Sequence, residues 1–266
     1  MGKMIIVASG KGGTGKTTFT SQVGARLAEM GCLTVLVDAD AGFRNLDIAL
    51  GLESSVVYDY SDYINGTKDI DEVLVKSGQS ENLYFIAAPQ SAATTEFDSE
   101  RVGEFWECLK SRFDFVLADA PAGMGDGFVF AAEYADEAVI VSLAEASSLR
   151  DADRVIEELE NSGVEEIRLV LNRIRADLIE KKVLMNVDDC IDVLSIPILG
   201  IVPEDVDVAA SVTSGKAVAV RDGGAGGAFY NIAKRLMGEY VPMMDITNES
   251  RRSLFSKVSG VFRKAR

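Results

Sequence analysis

The segment that most limits how this chain can fold is a glycine-rich run near its N-terminus, G-K-G-G-T-G-K-T-T at residues 10–18. It follows a short apolar run and precedes a long amphipathic stretch, the place where a strand turns into a helix. Gly10, Gly12, Gly13 and Gly15 allow left-handed backbone angles and close approach to oxygen atoms. Successive N–H groups at a helix N-terminus attract phosphate. The sequence therefore predicts a phosphate-binding loop.

The spacing of the run adds two side chains to this loop. The pattern G-x-x-x-x-G-K-[ST] extends from Gly10 to Thr17. In such a loop the Lys16 ammonium would reach the β- and γ-phosphates, and the Thr17 hydroxyl would ligate Mg²⁺. Because strand, loop and helix occur in the required order, we expect a nucleotide here rather than an empty turn. The loop residues assigned to nucleotide binding are Gly10, Lys11, Gly12, Gly13, Thr14, Gly15, Lys16, Thr17 and Thr18.

Short β-branched runs alternate with longer amphipathic stretches along the rest of the chain. The short runs predict strands at 4–8, 34–37, 83–87, 115–118, 137–141, 167–171 and 198–202. The longer stretches predict helices at 16–30, 99–112, 148–161 and 228–239. Most of the strands are continuously apolar, as in parallel sheets buried on both faces. The sequence predicts an α/β fold with a doubly wound, mostly parallel sheet flanked by helices.

Three carboxylates follow two of the predicted strands. Asp38 and Asp40 end the second strand, and Asp119 follows the strand at 115–118. Ligands of open α/β sheets bind at the carboxyl ends of the strands, so these side chains are expected near the phosphate loop. The chain has no histidine, which leaves a carboxylate as the natural group to position water. We expect a site for Mg²⁺ and an attacking water.

A second lysine at the head of the loop, Lys11, is not required by an ordinary phosphate cradle. With it, residues 11–17 fit K-G-G-x-G-K-[ST] and resemble the deviant Walker A (MinD/ParA) family of P-loop ATPases. The resemblance implies ATP and Mg²⁺ as cofactors and an ATP-dependent homodimer in which two chains enclose two ATP molecules. Lys11 would then act on the partner's nucleotide as a catalytic cation, alongside Lys16 in its own chain.

The same resemblance gives roles to residues outside the loop. Asp40 would orient the attacking water, and Asn45 matches a switch residue at the dimer face. The implied metal ligands are Thr17, Asp38 and Asp119. The implied adenine-side residues are Asn172, Arg173, Pro203, Glu204 and Asp205. Without the resemblance, this last group reads equally well as a polar pair at a strand end and a helix N-terminus.

Further segments resemble the division-site branch of this family, the MinD proteins. They include D-x-D-x-G-x-R-N-L-D at 38–47, VVYDY at 56–60, ENLYFIAAPQ at 81–90, YADEAVIVS at 134–142, SSLRDADR at 147–154 and GIVPED at 200–205. The resemblance implies a slow, partner-stimulated ATPase that positions the division site by recruiting a division inhibitor, MinC. A topological regulator such as MinE or a polar scaffold would control it. Asp151 is assigned to the dimer and partner-binding face.

Charge is distributed unevenly between the body of the chain and its C-terminal end. The whole chain has 27 Lys and Arg against 42 Asp and Glu, a formal net charge of −15. Six of the 27 lie in 251–266, which has no Asp or Glu, so 21 remain and the body carries −21. An acidic body repels nucleic acid and anionic lipid alike. Direct DNA binding is therefore not expected, and attraction to a polyanion is confined to the tail.

On a helical wheel at 100° per residue, the apolar residues of this tail share an arc of about 120°. They are Leu254, Phe255, Val258, Val261 and Phe262, while Lys257, Arg263 and Lys264 fall outside the arc. This pattern is typical of a helix lying in a membrane interface. A solvated tail, a docking helix for another protein and a nucleic-acid arm show similar patterns. The family resemblance favours the membrane.

The sequence thus predicts an ATPase domain at 1–240, a linker at 241–250 and a basic amphipathic membrane-targeting helix at 251–266. We expect a cytoplasmic protein, peripheral on the inner face of the cell membrane when ATP is bound. A flagellar-number regulator of the same family shares the core and the tail and stays open as an alternative. A ParA-type DNA partition ATPase shares the core, but the acidic body disfavours it.

Overall fold

The computed structural model describes residues 1–90 and 97–243 of the chain. Its strands are β1 (Lys3–Ala8), β2 (Thr34–Asp38), β3 (Val75–Lys76), β4 (Leu83–Ile86), β5 (Phe115–Asp119), β6 (Glu137–Ser142), β7 (Glu166–Ile174) and β8 (Ile198–Pro203). Its helices are α1 (Lys16–Glu29), α2 (Leu46–Leu50), α3 (Tyr60–Ile64), α4 (Ile70–Val73), α5 (Ser99–Arg112), α6 (Asp126–Ala132), α7 (Ala146–Asn161), α8 (Ala176–Glu180), α9 (Val187–Leu194), α10 (Val206–Thr213) and α11 (Ala225–Leu236).

The described strands form one sheet in the order β3-β4-β2-β5-β1-β6-β7-β8. β3 pairs with β4 in the antiparallel sense, and the other neighbouring strands pair in parallel. Strands β2 and β5 are buried along their whole length and β1 is buried from Met4 onward, because helices cover both faces. The predicted doubly wound α/β fold is confirmed.

Alternate residues of each strand belong to two separate hydrophobic cores. Ile5 and Val7 of β1 pack on one face with α1, α2 and α11, where Phe19 and Phe229 are buried. Ile6 and its neighbours on the other face pack with α3 to α7 and α9. The alternation arises because successive side chains of an extended strand point to opposite faces of the sheet.

The strand order places a crevice at the carboxyl end of β1. The chain leaves β1 toward β2 on one side of it and later crosses to β6 on the other. Residue Val7 of β1 and Asp38 of β2 both lie in register with Asp119 of β5. Ligands of open α/β sheets bind at such a switch point. The fold therefore brings the phosphate loop and the strand-end carboxylates to one place.

Local sequence explains where the longer helices begin and end. The Asp98 carboxylate accepts the Glu100 N–H and caps α5. The helix predicted at 228–239 is instead α11, Ala225–Leu236, because Gly238 takes a positive φ of 87° and ends it. All seven predicted strands and all four predicted helices are confirmed within three residues at each end. β3 and the shorter helices are not among the predicted elements, because they are too brief for their hydrophobic period to register.

Arg235 of α11 fixes the chain where it leaves the body. Its guanidinium donates to the carbonyls of Leu199, Val241 and Pro242, with the nitrogen–oxygen distances between 2.8 and 3.0 Å. Leu199 lies near the start of β8, so this anchor is at the end of the sheet away from the crevice.

The remainder of the predicted linker, 244–250, and the predicted membrane helix, 251–266, lie outside the described residues. So do its assigned membrane residues Leu254, Phe255, Lys257, Val258, Val261, Phe262, Arg263 and Lys264. Across residues 1–90 and 97–243, no helix combines the length and the apolar character required to traverse a bilayer.

Candidate functional site

The loop between β1 and α1 presents backbone N–H groups toward the crevice. Gly13 and Gly15 have φ values of 82° and 95°, which a residue with a Cβ rarely adopts. Gly15 is the N-cap of α1, so the positive end of the helix dipole faces the loop. Within the described chain, no N–H from Gly12 to Thr17 donates to a protein acceptor. Space is open beside Gly12 and Gly13. This is a preformed anion nest.

Two adjoining cavities extend from this loop. The phosphate-side cavity, about 410 Å³, is lined by Gly12, Gly13, Gly15, Lys16, Thr17, Thr18, Asp40, Asn45, Ile48, Ala49, Ala122, Arg173 and Val212. The base-side cavity, about 610 Å³, is lined by Gly15, Thr18, Asn172, Arg173, Val202, Pro203, Glu204, Asp205, Val206, Val208, Ala209, Val212 and Phe229. Four residues line both cavities, so together they form one cleft with a polar end and a largely apolar end. That shape suits a nucleotide.

Lys16 is buried beneath the loop. Its Nζ donates to the Ser9 hydroxyl at 2.9 Å, and that hydroxyl donates to the Lys11 carbonyl at 2.9 Å. Burial lowers the pKa of Lys16, while the carboxylates of Asp119 and Asp40 oppose the shift. The side chain is therefore held in place before any ligand arrives.

Asp119 joins the end of β5 to the first turns of α1. Its carboxylate accepts the Thr17 hydroxyl at 2.6 Å and the Thr20 hydroxyl at 3.1 Å. Complete burial raises the pKa of Asp119 to about 6, although Thr17 and Lys16 oppose this rise. The Asp119 carboxylate and the Thr17 hydroxyl are hard oxygen ligands, the type that Mg²⁺ prefers. The raised pKa shows that the buried carboxylate lacks a compensating positive charge, which a bound cation would supply.

Asp38 and Asp40 differ in their surroundings. The Asp38 carboxylate accepts the N–H groups of Asp40 at 2.9 Å and Leu46 at 3.1 Å, and so faces into the protein. Burial, followed by the charge of Asp119, raises the pKa of Asp38 to about 7. Asp40 lines the phosphate-side cavity. Burial raises its pKa, with Lys16 opposing the shift.

Asp38 and Asp119 lie opposite each other in register at the ends of the neighbouring strands β2 and β5. The charge of Asp119 contributes to the raised pKa of Asp38, and a divalent cation would relieve this repulsion. The residues present therefore fit Mg²⁺ on the Asp119, Thr17 and Asp38 side of the loop.

Asn172 holds the phosphate loop against the end of β7. Its Nδ2 donates to the Thr14 carbonyl at 2.7 Å. A Cβ on Gly15 would lie 2.3 Å from that Nδ2, so the two segments are in close contact. Arg173 follows with a positive φ of 53° and lines both cavities. Strain of this kind concentrates at functional sites.

Asp205 organises the other wall of the base-side cavity. One oxygen of its carboxylate accepts the Asp207 N–H at 2.9 Å and caps α10. The other accepts the Ala225 N–H at 3.1 Å at the start of α11. Pro203 ends β8, Glu204 follows it, and both line the same cavity. The structure thus brings together all five residues predicted on the adenine side, with Asp205 occupied in capping two helices.

Lys11 lies on a different side of the loop from Lys16. Its Nζ donates to the Glu145 carboxylate at 3.1 Å and is 3.4 Å from the Ser147 hydroxyl. It does not line the phosphate-side cavity. Gly10 packs on α7, where an added Cβ would lie 2.2 Å from the carbonyl carbon of Asp151. Lys11 and Asp151 therefore belong to one surface around the start of α7.

The sequence did not indicate several polar residues of the site. The Ser9 hydroxyl accepts a hydrogen bond from Lys16, and the Thr20 hydroxyl is the second one that donates to Asp119. The three-residue spacing from Thr17 to Thr20 could have identified the latter, since both lie on one helix face. Gln22 and Gln79 hold the segment after α10 from distant parts of the chain. No local pattern reports such contacts.

Fold and cleft together define a P-loop nucleotide-binding protein. The sequence matches the family described as the CobQ/CobB/MinD/ParA nucleotide binding domain over residues 5–218. The chain belongs to this family.

Several similar proteins are named MinD. The septum site-determining protein MinD of Bacillus subtilis is 38% identical over 265 residues, covering 98% of each chain. MinD in the MinC:MinD cell division protein complex of Aquifex aeolicus superimposes with a TM-score of 0.83 at 37% identity, over 90% of this chain and 98% of that one. A third relative, the MinD of Pyrococcus horikoshii complexed with Mg-ADP, gives a TM-score of 0.76 at 28% identity, over 89% and 96%.

These similarities confirm the predicted family, its MinD branch, the class of ATPase and a magnesium-bound nucleotide as cofactor. The likeness extends over nearly the whole chain, well beyond the phosphate loop. The roles of individual residues stay predictions.

Replacing Asn172 by Ala tests how the loop is held. We expect the Kd for Mg-ADP to rise about 3- to 10-fold, since the variant loses one hydrogen bond that fixes the Thr14 carbonyl. Isothermal titration calorimetry measures the change. Arg101→Ala is the control, because Arg101 is exposed on α5, pairs with Glu104 and lines neither cavity. Equal affinities for Asn172→Ala and wild type would contradict this role.

Proposed function

We propose that the protein is an ATP-dependent dimerising switch ATPase. It would bind the inner face of the cytoplasmic membrane through its C-terminal helix and position the division site by recruiting a division inhibitor. The observation that carries this proposal is that two lysines of one loop occupy different positions. Lys16 is buried under the anion nest, whereas Lys11 lies outside the cavity of its own chain.

In this proposal the loop N–H groups and Lys16 bind the phosphates of ATP. Thr17, Asp38 and Asp119 would hold Mg²⁺, which neutralises phosphate charge when bound. The apolar end of the cleft would take the adenine, between Asn172 and Arg173 on one side and Pro203, Glu204 and Asp205 on the other. Binding would cost little loop ordering, because the nest and its side chains are already in place.

Asp40 is proposed to orient the water that attacks the terminal phosphate. It is the carboxylate that lines the phosphate-side cavity, and the chain has no histidine to take this part. Its hydrogen bond to water would position the nucleophile, which is the main contribution a protein makes to phosphoryl transfer. A single weak base of this kind fits slow turnover that a partner stimulates.

Dimerisation is proposed to complete the site by bringing in Lys11 from the partner. In one chain the Lys11 ammonium is paired with Glu145, and both side chains are partly exposed. Exposed ion pairs are worth about 0–1 kcal/mol, so this pair can be exchanged readily for a phosphate. Asn45 on the cavity rim and Asp151 beside Gly10 would lie at the same dimer face.

Lys11→Ala should abolish ATP-dependent dimerisation and leave Mg-ADP binding within about 2-fold of wild type. The reason is that Lys11 lies outside the cavity of its own chain. Light scattering with ATP and with ADP measures the mass, and calorimetry measures the affinity. Lys181→Ala serves as the control, because Lys181 is an exposed lysine at the C-cap of α8. Dimerisation of Lys11→Ala at the wild-type ATP concentration would refute the assignment.

Membrane attachment is proposed to depend on two tails acting together. The chain leaves the body at the Arg235 anchor, on the end of the sheet away from the nucleotide. Direct contact between the nucleotide and the tail is therefore not a simple way for ATP to control membrane attachment. An ATP-bridged dimer supplies one, since joining two weak anchors raises the overall affinity by about 10²–10⁴. The acidic body would keep a monomer off anionic lipid.

Vesicle co-sedimentation tests the proposed function. With anionic vesicles, Mg²⁺ and ATP, the full chain should sediment at least about 10-fold more than with ADP. A chain ending at Ser250 should stay in the supernatant with either nucleotide, because it lacks the helix. Neutral vesicles are the control for the charge of the tail. Equal binding with ATP and ADP, or full binding without the tail, would refute the switch.

The proposed partners follow from the relatives. MinC is in complex with MinD in the Aquifex aeolicus structure, and we propose a division inhibitor of this type as a partner. A regulator such as MinE or a polar scaffold would stimulate hydrolysis and set the localisation. The surface around α7 with Asp151 is the proposed contact.

A further inference from the structure

Two short helices, one from the wall of each cavity, contact each other at their C-terminal ends. α2 forms a wall of the phosphate-side cavity through Ile48 and Ala49, with Asn45 as its N-cap. α10 forms a wall of the base-side cavity through Val208 and Ala209. Val212 of α10 lines both cavities. The relative position of α2 and α10 therefore sets the shape of the whole cleft.

Backbone meets backbone where these helices end. Gly51 is the C-cap of α2, and Gly215 follows the C-cap of α10; their φ values are 69° and 60°. A Cβ on Gly215 would lie 2.5 Å from the Gly51 Cα and 2.7 Å from its nitrogen. No side chain can separate the two segments. A shift of one helix end is therefore felt directly by the other.

One side chain, Gln79 from the loop before β4, bridges this contact. Its Nε2 donates to the Gly215 carbonyl at 2.8 Å and to the Leu50 carbonyl at 3.4 Å. Its Oε1 accepts the Ala217 N–H at 3.1 Å. Both polar atoms of the amide are hydrogen-bonded. They bind one backbone group of α2 and two backbone groups of the segment after α10. We define Gln79 with Gly51 and Gly215 as the helix-end brace.

The other ends of this assembly are fixed to the phosphate site. The N–H of Leu46, the first residue of α2, donates to the Asp38 carboxylate at 3.1 Å. On α1, the Gln22 amide accepts the Val218 N–H at 2.7 Å, so the segment after α10 is tied to the helix that carries Lys16. α2 is thus held between a carboxylate of the proposed Mg²⁺ site and the brace.

We propose that Gln79 is a positioning residue that couples the phosphate-side cavity to the base-side cavity. A terminal phosphate that shifts α2 would move α10 through the brace and change the fit of the base. The coupling is reciprocal, so the correct base would also strengthen the hold on the terminal phosphate. This inference rests on the proposed nucleotide site and adds a specificity mechanism to it.

Four dissociation constants measure the coupling. Calorimetry with Mg²⁺ gives the Kd of the hydrolysis-resistant triphosphates AMPPNP and GMPPNP, and of ADP and GDP. In wild type we expect the preference for adenine over guanine to be at least about 5-fold larger among the triphosphates than among the diphosphates. In Gln79→Ala the two preferences should agree within about 2-fold. A residue that merely stabilises the fold would weaken all four ligands alike and leave the ratio unchanged.

Ser80→Ala is the matched control in the same loop. Its hydroxyl contacts the Ala28 carbonyl and the Asn82 N–H, away from the brace, so it should keep the wild-type ratio. Gln79→Glu is the second variant in case Gln79→Ala melts at a lower temperature. It keeps the acceptor for Ala217 but offers no donor to Leu50 and Gly215, and should lose the coupling too.

The measurements are repeated in the Lys11→Ala background, which separates coupling within one chain from coupling through a dimer. Equal preferences in wild type, an unchanged ratio in Gln79→Ala, or a ratio lost in Lys11→Ala alone would each overturn the proposal. Absence of any nucleotide binding would instead refute the nucleotide site itself. The two failures are therefore distinguishable.

Discussion

The structure depends most on the pairing of Asp119 with the hydroxyls of Thr17 and Thr20. These hydrogen bonds lock the first turns of α1 to the end of β5 and so fix the direction in which the helix N-terminus points. The anion nest exists because that helix starts at Gly15, directly over the crevice beside β1. The burial of Lys16, the opening of the loop and the placement of the cavities all follow from this one attachment.

The electrostatic consequence is a site that is unfavourable until it is filled. Three carboxylates share the crevice with a single buried ammonium, and burial raises the pKa of each of them. Phosphates satisfy the unpaired N–H groups, and a divalent cation offsets the carboxylates. Both changes favour the liganded state. The N–H groups and carboxylates lost their contacts with water on folding, and the charges of the ligand compensate for that loss. The protein is thus built to respond to nucleotide.

The sequence was informative wherever function rests on neighbours along the chain. The glycine spacing, the Lys-Thr pair and the carboxylates at strand ends follow from strand and helix periods, and the structure brings them together. Contacts between distant segments had no such signal. Gln79 meets Gly215 across 136 positions, and Asp205 caps two helices at once. The cis partner of Lys11, Glu145, also depends on how α7 packs on the loop.

In the proposed mechanism, two tails on one ATP-bridged dimer together form the membrane anchor. The most direct measurement is a competition on anionic vesicles, with labelled full chain, Mg²⁺, ATP and a rising excess of unlabelled chain ending at Ser250. Mixed dimers carry one tail, so the labelled chain should leave the vesicles as the excess grows. The same truncated chain with Lys11→Ala should release none. Labelled chain that stays bound at every excess would refute the two-tail anchor.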